Sequence, residues 1–225
     1  VSLVPSLTET LFELGAGDSV VGITDFCVFP PDLRLPRVGG TKNPRVEAIR
    51  ELRPDLVHMN LEENLERHAR AIEAFAPVFV SEPKTVRDVV TFIATLGDIH
   101  DRRARAAELV AELEHELATM PKRSFTFACA IWKVPWMWCG GDTYVSNLVE
   151  CAGGRNVFAG ERRYPVRDPR EVDADVIFLP DEPYVFTETD ARQLPARVIG
   201  PFPGHLFTWH GTRTILGLRF LRDAI

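Results

Sequence analysis

The chain has no apolar run near the roughly 18 residues that a membrane-spanning helix needs, and it has only 4 cysteines in 225 residues. Cys27, Cys129, Cys139 and Cys151 form no C-x-x-C pair, so a zinc ribbon or thioredoxin motif is unsupported. They are too few for a disulfide scaffold at this size, and ordinary core or loop thiols are the expectation. A basic stripe is also missing. The net charge is −6 and the pI about 5.6, and Arg102, Arg103 and Arg105 stand among acids on one helix face. That balance argues against nucleic acid as a partner. Catalytic signatures are scarce: there is no G-x-S-x-G elbow, no P-loop and no H-E-x-x-H. "GAGDSV" has too few glycines for a dinucleotide fingerprint. The histidines (His58, His68, His100, His115, His205, His210) never recur at i,i+4 ligand spacing. No catalytic residue and no metal site is expected. The chain opens on Val1 with the strand-like "VSLVP", and no signal peptide is visible in it.

What the sequence does hold is a regular alternation of short strand-like runs and helical stretches, the pattern of an α/β fold. Its 45% hydrophobic content can fill a sizeable core. The length suits one large domain or two lobes of about 100 residues each. In the first third, "SLTETLFELGAG" puts Ser6 and Glu9 at capping-box spacing ahead of an apolar face of Leu7, Leu11, Phe12 and Leu14. "VVGIT" (20–24), "DLVHM" and "VFVS" are expected strands. "EENLERHARAIEAF" is an expected helix that Glu62 and Glu63 begin, where acids favour the positive end of the dipole.

A helix then starts at Thr85 and stops at Gly97. The next, "DRRARAAELVAELEHELATM", takes Asp101 as N-cap and holds no Gly or Pro. It runs about 19 residues, roughly 28 Å at 1.5 Å per residue. Beyond it come the strands "FTFACAIW", "ADVIFLP" and "ARVIG", and the helices "TYVSNLVECAGG" and "GTRTILGLRFLRDAI". The reading is two α/β lobes joined by one long rigid helix. An N-terminal lobe spans 1–84, a helical linker 85–120 with its backbone helix at 101–119, and a C-terminal lobe 121–225.

One stretch stands out. "WKVPWMW" (132–138) packs three tryptophans into seven residues, with a proline in the middle and "CGGDTY" directly after. The proline argues that this run leaves the sheet as a loop. Loops after strand C-termini are where α/β proteins hold ligands. Such segments here carry Phe26, Phe29, Trp136, Trp138, Tyr164, Tyr184, Phe186 and Trp209. A wall of this kind binds large flat or apolar molecules by area and stacking, while some rings will simply plug the sheet ends. His210 in "TWHG" could reach a ligand, and Cys27 on its loop could touch a metal. His58 within a strand reads as a core histidine, and His100 and His115 as solvated groups of the helical spacer.

The motifs "VSLVPSLTETLFELGAGDSVVGITDFCVFPP", "PRVGGTKNPRVEAIRELRPDLV", "EEN", "WKVPWM", "GGRNVF", "RYP" and "EPYVF" resemble the cobalamin-binding type of class III substrate-binding proteins of ABC importers, the helical-backbone metal receptors. The resemblance covers almost the whole chain. It implies two α/β lobes on a backbone helix with a ligand cleft between them. The implied activity is capture of a corrinoid such as cobalamin, a transported metal chelate rather than a catalytic cofactor, by a non-enzymatic and monomeric protein.

It further implies a membrane permease as partner and a periplasmic or extracytoplasmic location, with an anchor left open. Phe26 stands at a cleft tyrosine of the family, Tyr164 at a tryptophan and Met137 at a phenylalanine. Thr41 replaces an aromatic. With Phe29, Glu63, Trp136, Tyr184, Trp209 and His210 these are the expected ligand contacts. The family docks on its permease through one glutamate per lobe. Glu47 matches in the first lobe; in the second the match falls on Arg170, with Glu171 adjacent. Two alternatives stay open. One is a siderophore or haem binder, using Lys42, Lys133, Arg162 and Arg163 for an anion or Tyr164 and His210 as axial ligands. The other is an intracellular tetrapyrrole-handling protein.

Overall fold

The computed structural model describes residues 1–225, and its architecture is mixed α/β, as the alternation predicts. The chain divides into two compact units. Unit 1 takes Val1–Pro83 and Val90–Ala111; unit 2 takes Lys84–Val89 and Glu112–Ile225.

Unit 1 contains, in chain order, α1 (Pro5–Glu13), α2 (Val46–Glu51), β1 (Val57–Asn60), α3 (Glu66–Glu73) and β2 (Val78–Ser81). β1 and β2 pair in parallel, with Val57 opposite Val78. Beside β1 the sheet thins to single bridges: Ser2 pairs with both His58 and Ile23, and Ile23 with Arg37. The strand expected at 20–24 is therefore one bridging residue. Gly22 before it and Pro36 on the opposed segment deny that edge a continuous ladder. Val1, Leu3, Val38, Ile49, Val57, Met59, Ile72 and Ala76 form one buried cluster; Leu11, Ala16, Val20, Ile23 and Cys27 form another.

The start of α1 also differs from expectation. Pro5 occupies the first helical turn and Val4 is the N-cap, without a side-chain cap. Proline's fixed φ suits that position, and its missing N–H would have had no intrahelical partner there. Ser6 thus lies inside the helix, buried, with its carbonyl accepting from the Thr10 hydroxyl at 2.8 Å.

Two further helices, α4 (Val86–Ile99) and α5 (Arg103–Thr119), are each divided between the units, with residues 86–89 and 112–119 in unit 2. Asp101 does not cap α5. It sits in the left-handed region at φ 53° within the turn that joins the helices, and the Arg102 N–H closes that turn on the Gly97 carbonyl at 2.7 Å. Gly97 is not a stop signal either. α4 runs past it, and a Cβ there would lie 2.3 Å from the Cβ of Ala106. The glycine is where the two helices touch.

Unit 2 is built on β3 (Phe125–Trp132), β4 (Met137–Trp138), β5 (Gly154–Asn156), β6 (Val176–Pro180) and β7 (Arg197–Phe202). The strand order is β4-β3-β6-β7, with β5 also on β3. All pairs are parallel except β3 with β4. The helices are α6 (Tyr144–Glu150), α7 (Glu188–Ala191), α8 (His205–Thr208) and α9 (Arg213–Ala224). Glu116 of α5 accepts from Arg219 at 2.7 Å and from Arg222 at 2.5 Å, which ties α9 to α5. Burial alone would push its carboxyl up; the two guanidiniums outweigh that and hold it below the usual carboxylate range.

Candidate ligand-binding site

The tryptophan run does not leave the sheet. β3 ends at Trp132, the chain turns through 133–136, and β4 returns antiparallel with Trp138 opposite Ala130. The proline sits in the turn, where no ladder bond is lost. Beside it Val134 is 81% exposed and holds φ 65°. For a β-branched residue that conformation stores strain of order 1–3 kcal/mol.

The three indoles have different fates. Trp138 is fully buried, and its Nε1–H donates to the Arg167 carbonyl at 3.1 Å. Trp136 is half-buried, stacked on Trp138 at 5.7 Å and on Phe186 at 5.5 Å. Trp132 is 41% exposed and meets Tyr184 edge-on at 5.3 Å. Tyr184 in turn touches Phe186 at 4.8 Å. The rings form a ladder from core to solvent.

A second motif runs along the outer edge of β4. Met137 bridges Val166 antiparallel. The Trp138 N–H donates to the Pro165 carbonyl at 3.0 Å, and the Arg167 N–H to that of Trp136 at 3.3 Å. The segment carrying Tyr164, 38% exposed, is thereby brought to the hairpin of Trp136 and Met137. Beneath the hairpin, Lys133 pairs with the buried carboxylate of Asp190 and lies 5.5 Å from the Trp136 ring. Asp190 also accepts from the Thr187 N–H at 2.8 Å and hydroxyl at 2.7 Å. Burial pushes its carboxyl up, but Lys133 and Thr187 outweigh it and leave it lowered. Lys133 is therefore engaged inside the protein rather than held out for an anion.

Trp209 and His210 belong to another group in unit 2. Trp209 donates to Glu182 at 3.1 Å and has the Arg213 guanidinium 5.7 Å from its ring. His210 is buried beside Tyr144, and burial lowers its pKa to about 4.

In unit 1, Phe26 is 60% exposed and Phe29 half-buried on the loop after Ile23. Phe26 lies over Gly40, where a Cβ would come within 3.2 Å of its ring and 2.4 Å of the Asn43 Oδ1. Thr41 is buried, and its carbonyl accepts from Asn64 at 2.9 Å. Asn64 also donates to the Leu3 carbonyl at 3.2 Å and accepts the Asn60 N–H at 2.8 Å. One buried amide thus stitches together "VSLVP", "GGTKNP" and "NLEEN". Asn60 accepts from the N–H groups of Glu62 and Glu63 at 2.9 and 3.1 Å. Those glutamates lie in an Asx-type turn after β1, not in the first turn of α3, which starts at Glu66. Desolvation raises the Glu63 pKa, with Lys42 opposing. Sequence reasoning passed over Asn60 and Asn64; an asparagine ending a strand ahead of a short polar turn is the signal that could have found them.

Other candidates turn inward. Cys27 is fully buried, its Sγ 3.1 Å from the Thr8 hydroxyl and 3.2 Å from that of Thr24. That is a packing role, not an exposed metal ligand. His100 is half-buried, not solvated, and its Nε2 lies 2.9 Å from the Nε2 of His58. Burial first, then His100, lowers the His58 pKa to about 3. Between that value and the ordinary 6.5 the unfolded chain binds more protons than the folded one. The contribution of this one group to unit 1 is therefore fully present above about pH 6.5 and is lost on acidification, at up to about 1.4 kcal/mol per pH unit. Urea unfolding between pH 7 and 5 checks this. All 4 tryptophans and 3 tyrosines lie in unit 2, so far-UV circular dichroism reports the whole chain while tryptophan fluorescence reports unit 2 alone. His58→Gln should flatten the component that only dichroism sees; an unchanged slope would refute the assignment.

Of the docking candidates, Glu47 lies in the first turn of α2, 77% exposed at its side chain, with Arg50 at 3.2 Å. Glu171 closes a one-turn 3₁₀ helix, Pro169–Glu171, which Asp168 caps. Arg170 beside it is held by Asp168 at 2.5 Å.

A model of the periplasmic binding protein family matches residues 1–179. Among curated relatives, a vitamin B12-binding protein of Photorhabdus laumondii is 27% identical over 71% of this chain, and one of Yersinia pestis 26% identical over 72%. The chain spans about 60% of the length of each of these relatives. Among solved structures, the periplasmic vitamin B12-binding protein of Vibrio cholerae superposes with TM-score 0.81 at 19% identity, covering 99% of this chain and 94% of its own. A periplasmic haem-binding protein of the same organism reaches 0.84 at 17%, covering 99% and 96%. Both ligand classes thus occur on this fold.

Proposed function

We infer that this chain, which belongs to the periplasmic binding protein family, captures a corrinoid of the vitamin B12 class outside the cytoplasm and hands it to an ABC permease. The observation that carries the reading is the pairing of residues 136–138 with 165–167, which gathers Trp136, Met137 and Tyr164 on one edge of unit 2. A corrin is broad, largely apolar and already carries its metal, so it needs aromatic area more than a protein metal ligand. The names of the curated relatives point the same way. The chain works as a binding protein, a monomer without a catalytic step.

Calorimetry with cyanocobalamin, cobinamide and haem tests this. Saturable one-to-one binding of the corrinoids at micromolar affinity or better supports the reading, and the two corrinoids together show whether the nucleotide loop is sensed. Haem binding with no corrinoid heat would replace it by the second reading. Haem-binding neighbours and the exposed Tyr164 phenol favour that alternative, whereas the buried His210 does not.

Glu47 is proposed to meet an arginine of the permease, with Glu171 as its counterpart on unit 2. Glu47→Arg should leave corrinoid affinity unchanged and reduce uptake into permease vesicles by about tenfold, the equivalent of about 1.4 kcal/mol of docking. Normal uptake by this variant would remove Glu47 from the docking surface.

A further inference from the structure

We propose that Cys129 and Cys139 are a redox-modifiable pair that forms a cross-strand disulfide and fastens the aromatic hairpin to the sheet. Ala130 stands opposite Trp138 across the antiparallel β3–β4 pair, so the neighbouring opposed pair is Cys129 with Cys139. The Cys139 N–H donates to the Cys129 carbonyl at 2.9 Å, which fixes that register. Directly opposed residues of a hydrogen-bonded antiparallel pair have Cα atoms about 5.5 Å apart and side chains on the same face. Disulfides span Cα separations of about 4.4–6.8 Å, and the spacing of such a pair falls inside that range. Both cysteines are buried and carry free thiols. Of the other two, Cys27 lies in unit 1 and Cys151 at the end of α6.

The chemistry is thiol–disulfide exchange with a small disulfide such as oxidised glutathione. One protein thiolate attacks the oxidant, making a mixed disulfide and releasing one glutathione thiol. The second protein thiolate then displaces the other glutathione. The protein dithiol is oxidised, the oxidant is reduced to two thiols, and the two hydrogens of the dithiol end on glutathione. Burial raises the Cys129 thiol well above its ordinary range, with Cys139 beside it adding to the effect, so the closed hairpin reacts slowly. β4 is only 2 residues long, and its outer edge is held by the short 165–167 segment rather than by a further strand. Its local opening, or its late docking during folding, gives the oxidant access.

The bond closes the loop that holds Trp132, Lys133, Trp136 and Met137. It restricts the unfolded chain and resists detachment of the hairpin. The inference goes beyond the ligand reading and holds whatever the ligand is.

The test refolds the purified full chain in glutathione buffers from fully reduced to fully oxidised. Samples are quenched in acid, alkylated under denaturing conditions and mapped by peptide mass. Thermal unfolding is followed by tryptophan fluorescence. The expected result in the oxidised arm is one linkage, Cys129 to Cys139, with Cys27 and Cys151 alkylated. The unfolding midpoint of unit 2 should lie several degrees above that of the reduced protein, and Cys129→Ala or Cys139→Ala should abolish the difference. Four alkylated cysteines at every redox poise, or any other pairing, would overturn the proposal. The mapping stands even if a variant fails to fold. No ligand enters the assay, so failure here leaves the corrinoid reading untouched.

Discussion

Trp138→Ala is expected to destabilise unit 2 by about 3–5 kcal/mol, the usual cost of emptying a buried aromatic site. The side chain is fully buried, stacks on Trp136 and packs against Phe158 at 5.9 Å. Its loss leaves a cavity and deprives the Arg167 carbonyl of the indole donor it accepts from. Trp132→Ala is the control. That ring is 41% exposed with an edge contact to Tyr184, so its removal should cost under about 1 kcal/mol. Urea unfolding followed by far-UV dichroism measures both. Equal costs would contradict the division of the hairpin into a core side and a solvent side.

That division shows where the sequence was readable. "FTFACAIW" is strand-like throughout, and β3 occupies those same residues. The alternation of elements was legible because each carries its own period or its own breaker. "WKVPWMW" is different. A proline and three indoles look alike whether the chain departs from a sheet or turns back onto it. The choice is made by tertiary pairing with Ala130 and with residues 165–167, which no local pattern encodes. The same holds for Gly97: a glycine near a helix end reads as a stop, but its contact is Ala106, on another helix. Asp101 is ambiguous for a related reason. Its residue type suits an N-cap and a left-handed turn equally well, and the helix–helix link decides. The motifs of the candidate site were visible as strings. What joins them was not, because the Asn64 amide and the Lys133–Asp190 pair reach across the sequence.

Trp136→Ala should weaken cyanocobalamin binding by about thirtyfold or more, on the order of 2 kcal/mol, as expected for a central aromatic anchor. Stability and binding must be separated, because Trp136 also stacks on Trp138 and Phe186. Calorimetry is therefore run well below the unfolding midpoint of each variant. Trp136→Phe keeps an aromatic face and should lose less. Tyr164→Ala removes the neighbouring segment's ring without disturbing the Trp136 stack, so its loss of affinity should come with little change in melting.

Asp190→Asn probes the support instead of the surface. It leaves the Lys133 ammonium beside Trp136 without its ionic partner, so the hairpin is less firmly held when ligand arrives. A pre-organised wall limits the ordering cost of binding. Loosening it should reduce affinity while every ring stays in place. Unchanged affinity in both Trp136→Ala and Tyr164→Ala would remove the aromatic edge of unit 2 from the ligand site. Loss in those two with none in Asp190→Asn would keep the wall and show that the ion pair serves the fold alone.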